Sequence, residues 1–248
     1  MLQLSLLQYA FALGVLAYAS IFDLKTREVS NWVWVLACPA GFALTIAAVA
    51  YSALNVETVI LSVGVSLVLG FVLLYFGLYG GADAKALIFV ALTFPAYPTA
   101  FKPLLGNAIL PPVMTMFCNS VVLSMICPLT VFALNVKDVL KGKKLFEGIN
   151  ARTSERVLLL FTTRKVNMNK LGKDLTYLPA ETVEYQDGQL TRKPLHFVKS
   201  EGDLSPCIAT LQENRELYTD GVLASPTIPF IVFLTLGVAL LPLGNLVL

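Results

Sequence analysis

Long runs of apolar residues, separated by short polar turns, make up most of this chain. A helix needs about 20 predominantly apolar residues to cross the hydrocarbon core of a bilayer. A run from Ala84 to Ala100 is shorter and contains Pro95 and Pro98, which a spanning helix tolerates when its neighbours satisfy the freed carbonyl groups. Together with the five longer runs it predicts a polytopic α-helical membrane protein with six transmembrane helices. The five longer runs are Leu4–Phe22, Trp32–Tyr51, Val59–Leu78, Val113–Val136 and Ser225–Leu248.

The longest polar stretch lies between the fifth and sixth predicted helices. Residues 137–224 hold 14 of the 18 basic residues and 12 of the 16 acidic residues. We therefore expect a membrane domain over residues 1–136, which carries helices one to five. A small, β-rich soluble domain follows over residues 137–224, and residues 225–248 form the sixth transmembrane helix.

Alternation of apolar and polar residues suggests strands in the soluble domain. Arg156–Thr162 and Pro194–Lys199 both alternate in this way. Asp187-Gly188 is typical of a tight hairpin turn, and here it would join a strand at Glu181–Gln186 to one at Gln189–Lys193. These patterns predict that the domain is rich in β-structure.

The composition supports a membrane protein. The chain is 56% hydrophobic and only 14% charged, whereas soluble globular domains average about 25% charged residues. The net charge of +2 gives no indication of a nucleic-acid partner. We expect the lipid bilayer to be the main surrounding of the chain.

The distribution of basic residues predicts the orientation. With six spans, Lys25, Arg27, Lys85 and the Lys137–Lys144 cluster fall on one side of the membrane, and Lys102 is the basic residue on the other. Cytoplasmic loops carry an excess of Lys and Arg. The prediction is a multi-pass plasma-membrane protein with both termini outside and residues 137–224 in the cytoplasm.

The four cysteines do not suggest a metal site. They are Cys38, Cys118, Cys127 and Cys207, and no two of them form a C-x-x-C pair. Cys behaves as a small hydrophobic residue when it is buried. We expect no metal and no cofactor.

Two aspartates are the leading candidates for chemistry. Asp23 ends the first predicted helix and Asp83 begins the fourth, so the predicted topology places both carboxyl groups at the cytoplasmic face. Ionisable groups at such positions are functional candidates because they are costly to keep near lipid. Two close carboxyl groups share a proton, so one can activate water while the other polarises a peptide carbonyl. The alternative is a purely structural role, in which each aspartate only caps a helix or pairs with a nearby lysine.

The residues around both aspartates resemble a known family. The segment from Asp23 to Trp32, DLKTREVSNW, is similar to the first-aspartate region of the type IV prepilin peptidases. The segment Gly80-Gly81-Ala82-Asp83-Ala84-Lys85 resembles the second motif of that family, G-x-G-D-x-K, with Ala82 in place of the second glycine. The form G-x-A-D-x-K is similar to the archaeal branch, the preflagellin (prearchaellin) peptidases.

This resemblance implies a membrane aspartic endopeptidase of the GxGD type. Such enzymes cut the short basic leader, a class III signal peptide, from preflagellin or type IV pilin-like precursors at the cytoplasmic face. The resemblance assigns catalysis to Asp23 and Asp83, the shape of the turn to Gly80 and Gly81, and positioning to Lys85. It implies precursor proteins as partners and no cofactor.

Two other functions remain open at the level of sequence. A presenilin-like protease also uses two aspartates, but it cuts within a helix, and its aspartates lie deeper among apolar residues. A proton-coupled transporter could use the pair as a proton relay. Such carriers commonly contain inverted repeats, and no such repeat is visible in this sequence.

Overall fold

The computed structural model describes residues 2–77, 80–98, 101, 104, 110–171, 176–186, 189–195, 205–219 and 221–247. Over these residues the chain is mostly helical, with a small sheet region. The helices are α1 (Leu2–Thr26), α2 (Asn31–Ala50), α3 (Val56–Tyr75), α4 (Gly81–Thr93), α5 (Pro112–Ser124), α6 (Ile126–Leu140), α7 (Thr153–Thr162), α8 (Ser205–Glu213) and α9 (Phe230–Ala239). The strands are β1 (Arg164–Val166), β2 (Tyr177–Pro179), β3 (Glu181–Gln186), β4 (Gln189–Pro194) and β5 (Val222–Pro226).

Four helical segments are long and apolar enough to cross a membrane, counted over the described residues. They are Gln3–Thr26, Asn31–Ala50, Val56–Tyr75 and Pro112–Leu140, the last made of α5 and α6. Each one overlaps a long apolar run in the sequence. The membrane character predicted from those four runs is therefore confirmed.

The other two predicted spans contain shorter helices. α4 has 13 residues, about 20 Å of helix, and it ends at Thr93 because Phe94 precedes Pro95. α9 has 10 residues, because β5 continues through Pro226 and the helix begins only at Phe230. Neither helix is long enough to cross a bilayer as a single straight element.

The chain divides into two compact units. The first unit contains Met1–Ser124 and Pro229–Leu248, and the second contains Met125–Ile228. The first unit therefore consists of α1 to α5 with α9. The second consists of α6 to α8 with all five strands.

The short helix α4 is the centre of the first unit. It contacts α1, α2, α3, α5 and α9. Leu87, Phe89 and Val90 are fully buried on it. Because α4 is surrounded by protein, it does not need the length of a helix that crosses the bilayer in contact with lipid.

Glycines allow two pairs of helices to approach closely. A Cβ atom added at Gly237 of α9 would lie 2.5 Å from the backbone oxygen of Met116 in α5. One added at Gly41 of α2 would lie 1.9 Å from Oγ1 of Thr93 in α4. Small residues at helix interfaces are the usual way to bring membrane helices together.

Buried polar side chains connect the helices of the first unit. Gln8 Nε2 donates to Thr45 Oγ1 at 3.0 Å, and Thr45 Oγ1 donates to the carbonyl oxygen of Leu92 at 2.8 Å, which links α1, α2 and α4. The hydroxyl groups of Ser20 and Thr235 lie 2.7 Å apart, between α1 and α9. Such bonds satisfy polar groups that lipid cannot satisfy.

The second unit contains two small antiparallel sheets. β5 lies between β1 and β2, and β3 pairs with β4 in register from Glu181–Pro194 to Gln186–Gln189. The predicted pair of strands on either side of the hairpin is confirmed. The predicted turn residues Asp187 and Gly188, together with 196–199 and Lys102, lie outside the described residues.

One predicted strand is wrong. Arg156–Thr162 belongs to the helix α7. The Glu155 side chain accepts the backbone N–H of Arg152 at 2.7 Å, which caps the first turn. Phe161 then stacks on Phe132 of α6 with ring centroids 4.4 Å apart, so capping and tertiary packing outweigh the alternating pattern.

A buried ion pair joins the two sheets of the second unit. Arg192 of β4 donates to both carboxylate oxygens of Glu181 in β3, at 2.8 and 3.0 Å. Glu181 also accepts the backbone N–H of Leu223 in β5 at 2.6 Å. Both charged residues are at most 4% exposed, and their mutual bonds offset the desolvation that burial imposes.

Candidate active site

Asp23 lies in the last turns of α1 but caps a different helix. Its Oδ2 atom accepts the backbone N–H of Ile231, the second residue of α9, at 3.2 Å. The residue before α9 is Pro229, which provides no side-chain cap. Asp23 is only 8% exposed, so α9 supplies the polar partner that a buried carboxylate needs.

Asp83 is the third residue of α4 and caps its own helix. Its Oδ2 atom accepts the backbone N–H of Gly80 at 3.1 Å. Gly80 directly precedes the helix, and Gly81 is its first residue. The departure from the family motif, Ala82, falls inside the first turn of α4, where alanine is the best helix former.

Lys85 connects α4 to α2. Its Nζ atom donates to Oδ1 of Asn31 at 2.7 Å, and Asn31 is the first residue of α2. Lys85 is exposed, two residues beyond Asp83. The structure therefore bonds this lysine to the beginning of a neighbouring helix.

These bonds bring four helix ends together at one end of the first unit. The bond from Asp23 joins the C-terminal end of α1 to the N-terminal end of α9, and the bond from Lys85 joins the N-terminal ends of α4 and α2. α1, α4 and α9 also pack against one another. Both aspartates thus belong to the same end of the bundle, each bonded to backbone N–H at a helix N-terminus.

Arg27 is a further candidate for a role at the site, although the sequence indicated only that it marks the cytoplasmic side. It ends α1 in the left-handed region, with φ +58°, and its backbone N–H donates to the carbonyl oxygen of Asp23 at 3.2 Å. Its Nε and Nη1 atoms are buried and have no hydrogen-bond partner among the described residues. In the sequence, the indication of this role is that Arg27 follows Asp23 by four residues, about one helical turn.

The candidate catalytic groups at this end of the first unit are the two carboxyl groups. Within the described ranges, no group of three His, Cys, Asp or Glu side chains could hold a metal ion. Helix N-termini favour negative charge because their N–H groups point outward. Such an end can hold one carboxylate ionised while another carries a proton, as acid–base catalysis with water requires.

Comparison with known proteins agrees with this arrangement. The sequence model of the type IV leader peptidase family matches residues 10–129, a range that contains Asp23 and Asp83. The preflagellin peptidase of Methanococcus voltae is 28% identical, over 71% of this chain and 78% of that protein. The preflagellin peptidase of Methanocaldococcus jannaschii is also 28% identical, over 65% of this chain and 68% of that protein. The chain is therefore a peptidase, and over residues 10–129 it is similar to the type IV leader peptidase family.

Proposed function

We propose that the chain is a membrane aspartic endopeptidase that removes the basic leader from preflagellin or pilin-like precursors. The observation that supports it best is the common position of Asp23 and Asp83 at one end of the first unit. Each carboxyl group there accepts a backbone N–H at the N-terminus of a helix, α9 for Asp23 and α4 for Asp83. The two relatives named preflagellin peptidase support this substrate class. A pair of carboxyl groups needs no cofactor for this reaction.

The proposed reaction divides the work between the two aspartates. The ionised carboxylate takes a proton from a water molecule, whose oxygen attacks the scissile carbonyl carbon. The protonated carboxyl group gives its proton to the carbonyl oxygen. One hydroxyl of the tetrahedral intermediate then returns its proton to the newly ionised carboxylate as the carbonyl re-forms. The C–N bond breaks, and the leaving amine takes the proton that the other carboxyl group received from water.

The surrounding residues hold this pair in place. We assign Gly80 and Gly81 to the turn before α4, where the Gly80 N–H bonds Asp83. Lys85 fixes the first turn of α4 to α2 through Asn31. Arg27 is a positioning residue, because its backbone N–H bonds the carbonyl oxygen of Asp23 at the end of α1.

The proposal includes a membrane topology. We propose six membrane segments, with α4 and α9 as short members inside the bundle, both termini outside and residues 137–224 in the cytoplasm. Lys25 and Arg27 at the end of α1, and Lys85 in α4, belong to the same end as the aspartates. Placed in the cytoplasm, this end receives the basic leader and water without either crossing lipid.

A cleavage assay tests the proposal. The purified full chain is incubated in detergent with a precursor that carries a Lys-Gly junction before its apolar helix, and the products are weighed by mass spectrometry. Asp23→Asn and Asp83→Asn should each lower the rate at least about a thousandfold, as loss of a catalytic group in a unit commonly does. Glu57→Gln, which removes an exposed acid from the first turn of α3, is the matched control and should keep the native rate.

The position of the cut separates the competing functions. A cut beside the basic leader supports the proposal. A cut in the middle of the apolar helix would favour a presenilin-like protease. Full cleavage by either aspartate variant would remove that residue from the mechanism.

A further inference from the structure

The second unit contains a charged cavity that the peptidase chemistry does not use. Its volume is about 500 Å³, within the range of about 300–1,000 Å³ that is common for small-ligand sites. Three parts of the chain form its walls: the end of α6 with the segment that follows, β1 with the turn after it, and the four residues Arg215, Tyr218, Thr219 and Gly221.

Ionic bonds hold the first two walls together. Asp138, near the end of α6, accepts Lys143 Nζ on Oδ1 and Arg164 Nη2 on Oδ2, both at 2.9 Å. Arg164 is the first residue of β1. The carboxylate of Asp138 therefore fixes the helix end to the sheet, and two cations match its charge.

The third wall is attached to the buried ion pair. Arg192 donates to the carbonyl oxygens of Leu217 at 3.1 Å and Gly221 at 3.2 Å, and its guanidinium lies 4.5 Å from the ring centroid of Tyr218. Gly221 has φ +107°, and a Cβ atom there would lie 2.7 Å from the backbone oxygen of Val166. The cavity is thus enclosed by fixed backbone.

The lining of this cavity favours an anion. Lys143, Lys165 and Arg215 face it together with Asp138, whose charge Arg164 already matches from outside the lining. Arg215 bonds the neutral Asn169 side chain at 3.3 Å. Several cations around one volume of this size suit a ligand with several acceptor oxygens.

Tyr218 is a neutral residue in this wall. It is 4% exposed, and its hydroxyl has no hydrogen-bond partner among the described residues. Burial raises the pKa of the Tyr218 phenol, so the group keeps its proton at physiological pH. Tyr218 therefore contributes a neutral side chain to this wall, and the positive charge of the lining comes from Lys143, Lys165 and Arg215.

The cavity lies directly after a membrane-spanning segment. The segment Pro112–Leu140 ends two residues beyond Asp138 and three before Lys143. Lys137 lies in the last turn of that segment, and Lys141 and Lys144 follow it. Basic clusters and pockets at the end of a membrane helix are the usual sites for acidic lipid headgroups.

We propose that this cavity binds the phosphate-bearing headgroup of an anionic phospholipid, with Lys143 and Arg215 as its main contacts. The shared chemistry is a phosphate group, which could also come from free phosphate in solution. The basic leader of a precursor carries the wrong charge for this cavity. The proposal concerns the second unit and is independent of the aspartates.

The test measures lipid binding by the purified full chain in a neutral detergent. Native mass spectrometry counts the bound ligand during titration with short-chain phosphatidylglycerol, short-chain phosphatidylcholine or sodium phosphate. We expect one phosphatidylglycerol per chain, bound at least about tenfold more tightly than the zwitterionic lipid or phosphate, because charged hydrogen bonds in a shaped site are strong. Binding of sodium phosphate as tight as that of the lipid would overturn the lipid assignment.

Matched variants separate the cavity from general basic charge. Arg215→Gln and Lys143→Gln should each raise the Kd for phosphatidylglycerol about tenfold, and Arg215→Lys should restore part of the affinity. Lys170→Gln and Arg156→Gln remove exposed charges outside the lining and should leave the Kd unchanged. Equal losses in cavity and control variants, or binding that never saturates, would contradict the proposal.

Discussion

At the scale of residues, the two aspartates combine a structural bond with the proposed chemistry. Each carboxylate accepts a backbone N–H at a helix N-terminus. The structural role as a helix cap and the proposed catalytic role therefore belong to the same carboxylate atoms. The bond from Ile231 to Asp23 has no local sequence signal, because the two residues lie 208 positions apart. The role of Asp23 in starting α9 therefore could not be predicted from the sequence.

Substitutions at Asp23 should separate capping from catalysis. Asparagine keeps an acceptor oxygen and caps helices about as well as aspartate, whereas alanine loses about 1 kcal/mol at such positions. We expect Asp23→Ala to lower the free energy of unfolding by about that amount and Asp23→Asn by clearly less. Neither variant should cleave a precursor. Thermal unfolding in detergent measures the difference, and equal stability of the two variants would show that the bond to α9 contributes little.

At the scale of elements, close helix packing decides where side chains are tolerated. Gly237→Ala should lower the free energy of unfolding by about 1–3 kcal/mol, the usual range for overpacking, because its Cβ atom would meet the Met116 backbone. Gly64→Ala is the control, since a Cβ atom there has open space around it, and alanine favours a helix. Thermal unfolding of both variants checks this. A native melting temperature for Gly237→Ala would mean that α5 and α9 can separate without loss.

The elements themselves were predictable to different degrees. Long apolar runs predicted α1, α2 and α3, and the Asp187-Gly188 turn signal predicted β3 and β4 on either side of it, because each signal depends on local sequence. The alternating pattern at Arg156–Thr162 wrongly predicted a strand. A cap from Glu155 and stacking on α6 stabilise the helix α7 there instead. The ends of α4 and α9 depended on Pro95 and on the pairing of β5, and an apolar run shows neither effect by itself.

At the scale of the whole molecule, the proposed orientation has a direct test. α2 joins the loop that contains Glu28 to the turn that contains Ala53, and its 20 residues are about 30 Å long, enough to cross a bilayer. In a chain whose native cysteines are replaced, Ala53→Cys should react with an impermeant maleimide on intact cells. Glu28→Cys should react only after permeabilisation. The reverse pattern would place the aspartates outside the cell.

The bond between Asp23 and Ile231 also sets an order of events during synthesis. The ribosome must add 208 residues after Asp23 before its partner exists, which takes about 10–40 s at ordinary translation rates. During that interval α1 can already enter the membrane, but its carboxylate has no α9 to cap. A nascent chain that still lacks residues 229–248 therefore holds Asp23 without its helix partner, so under the proposed mechanism the site is complete only when translation is nearly finished.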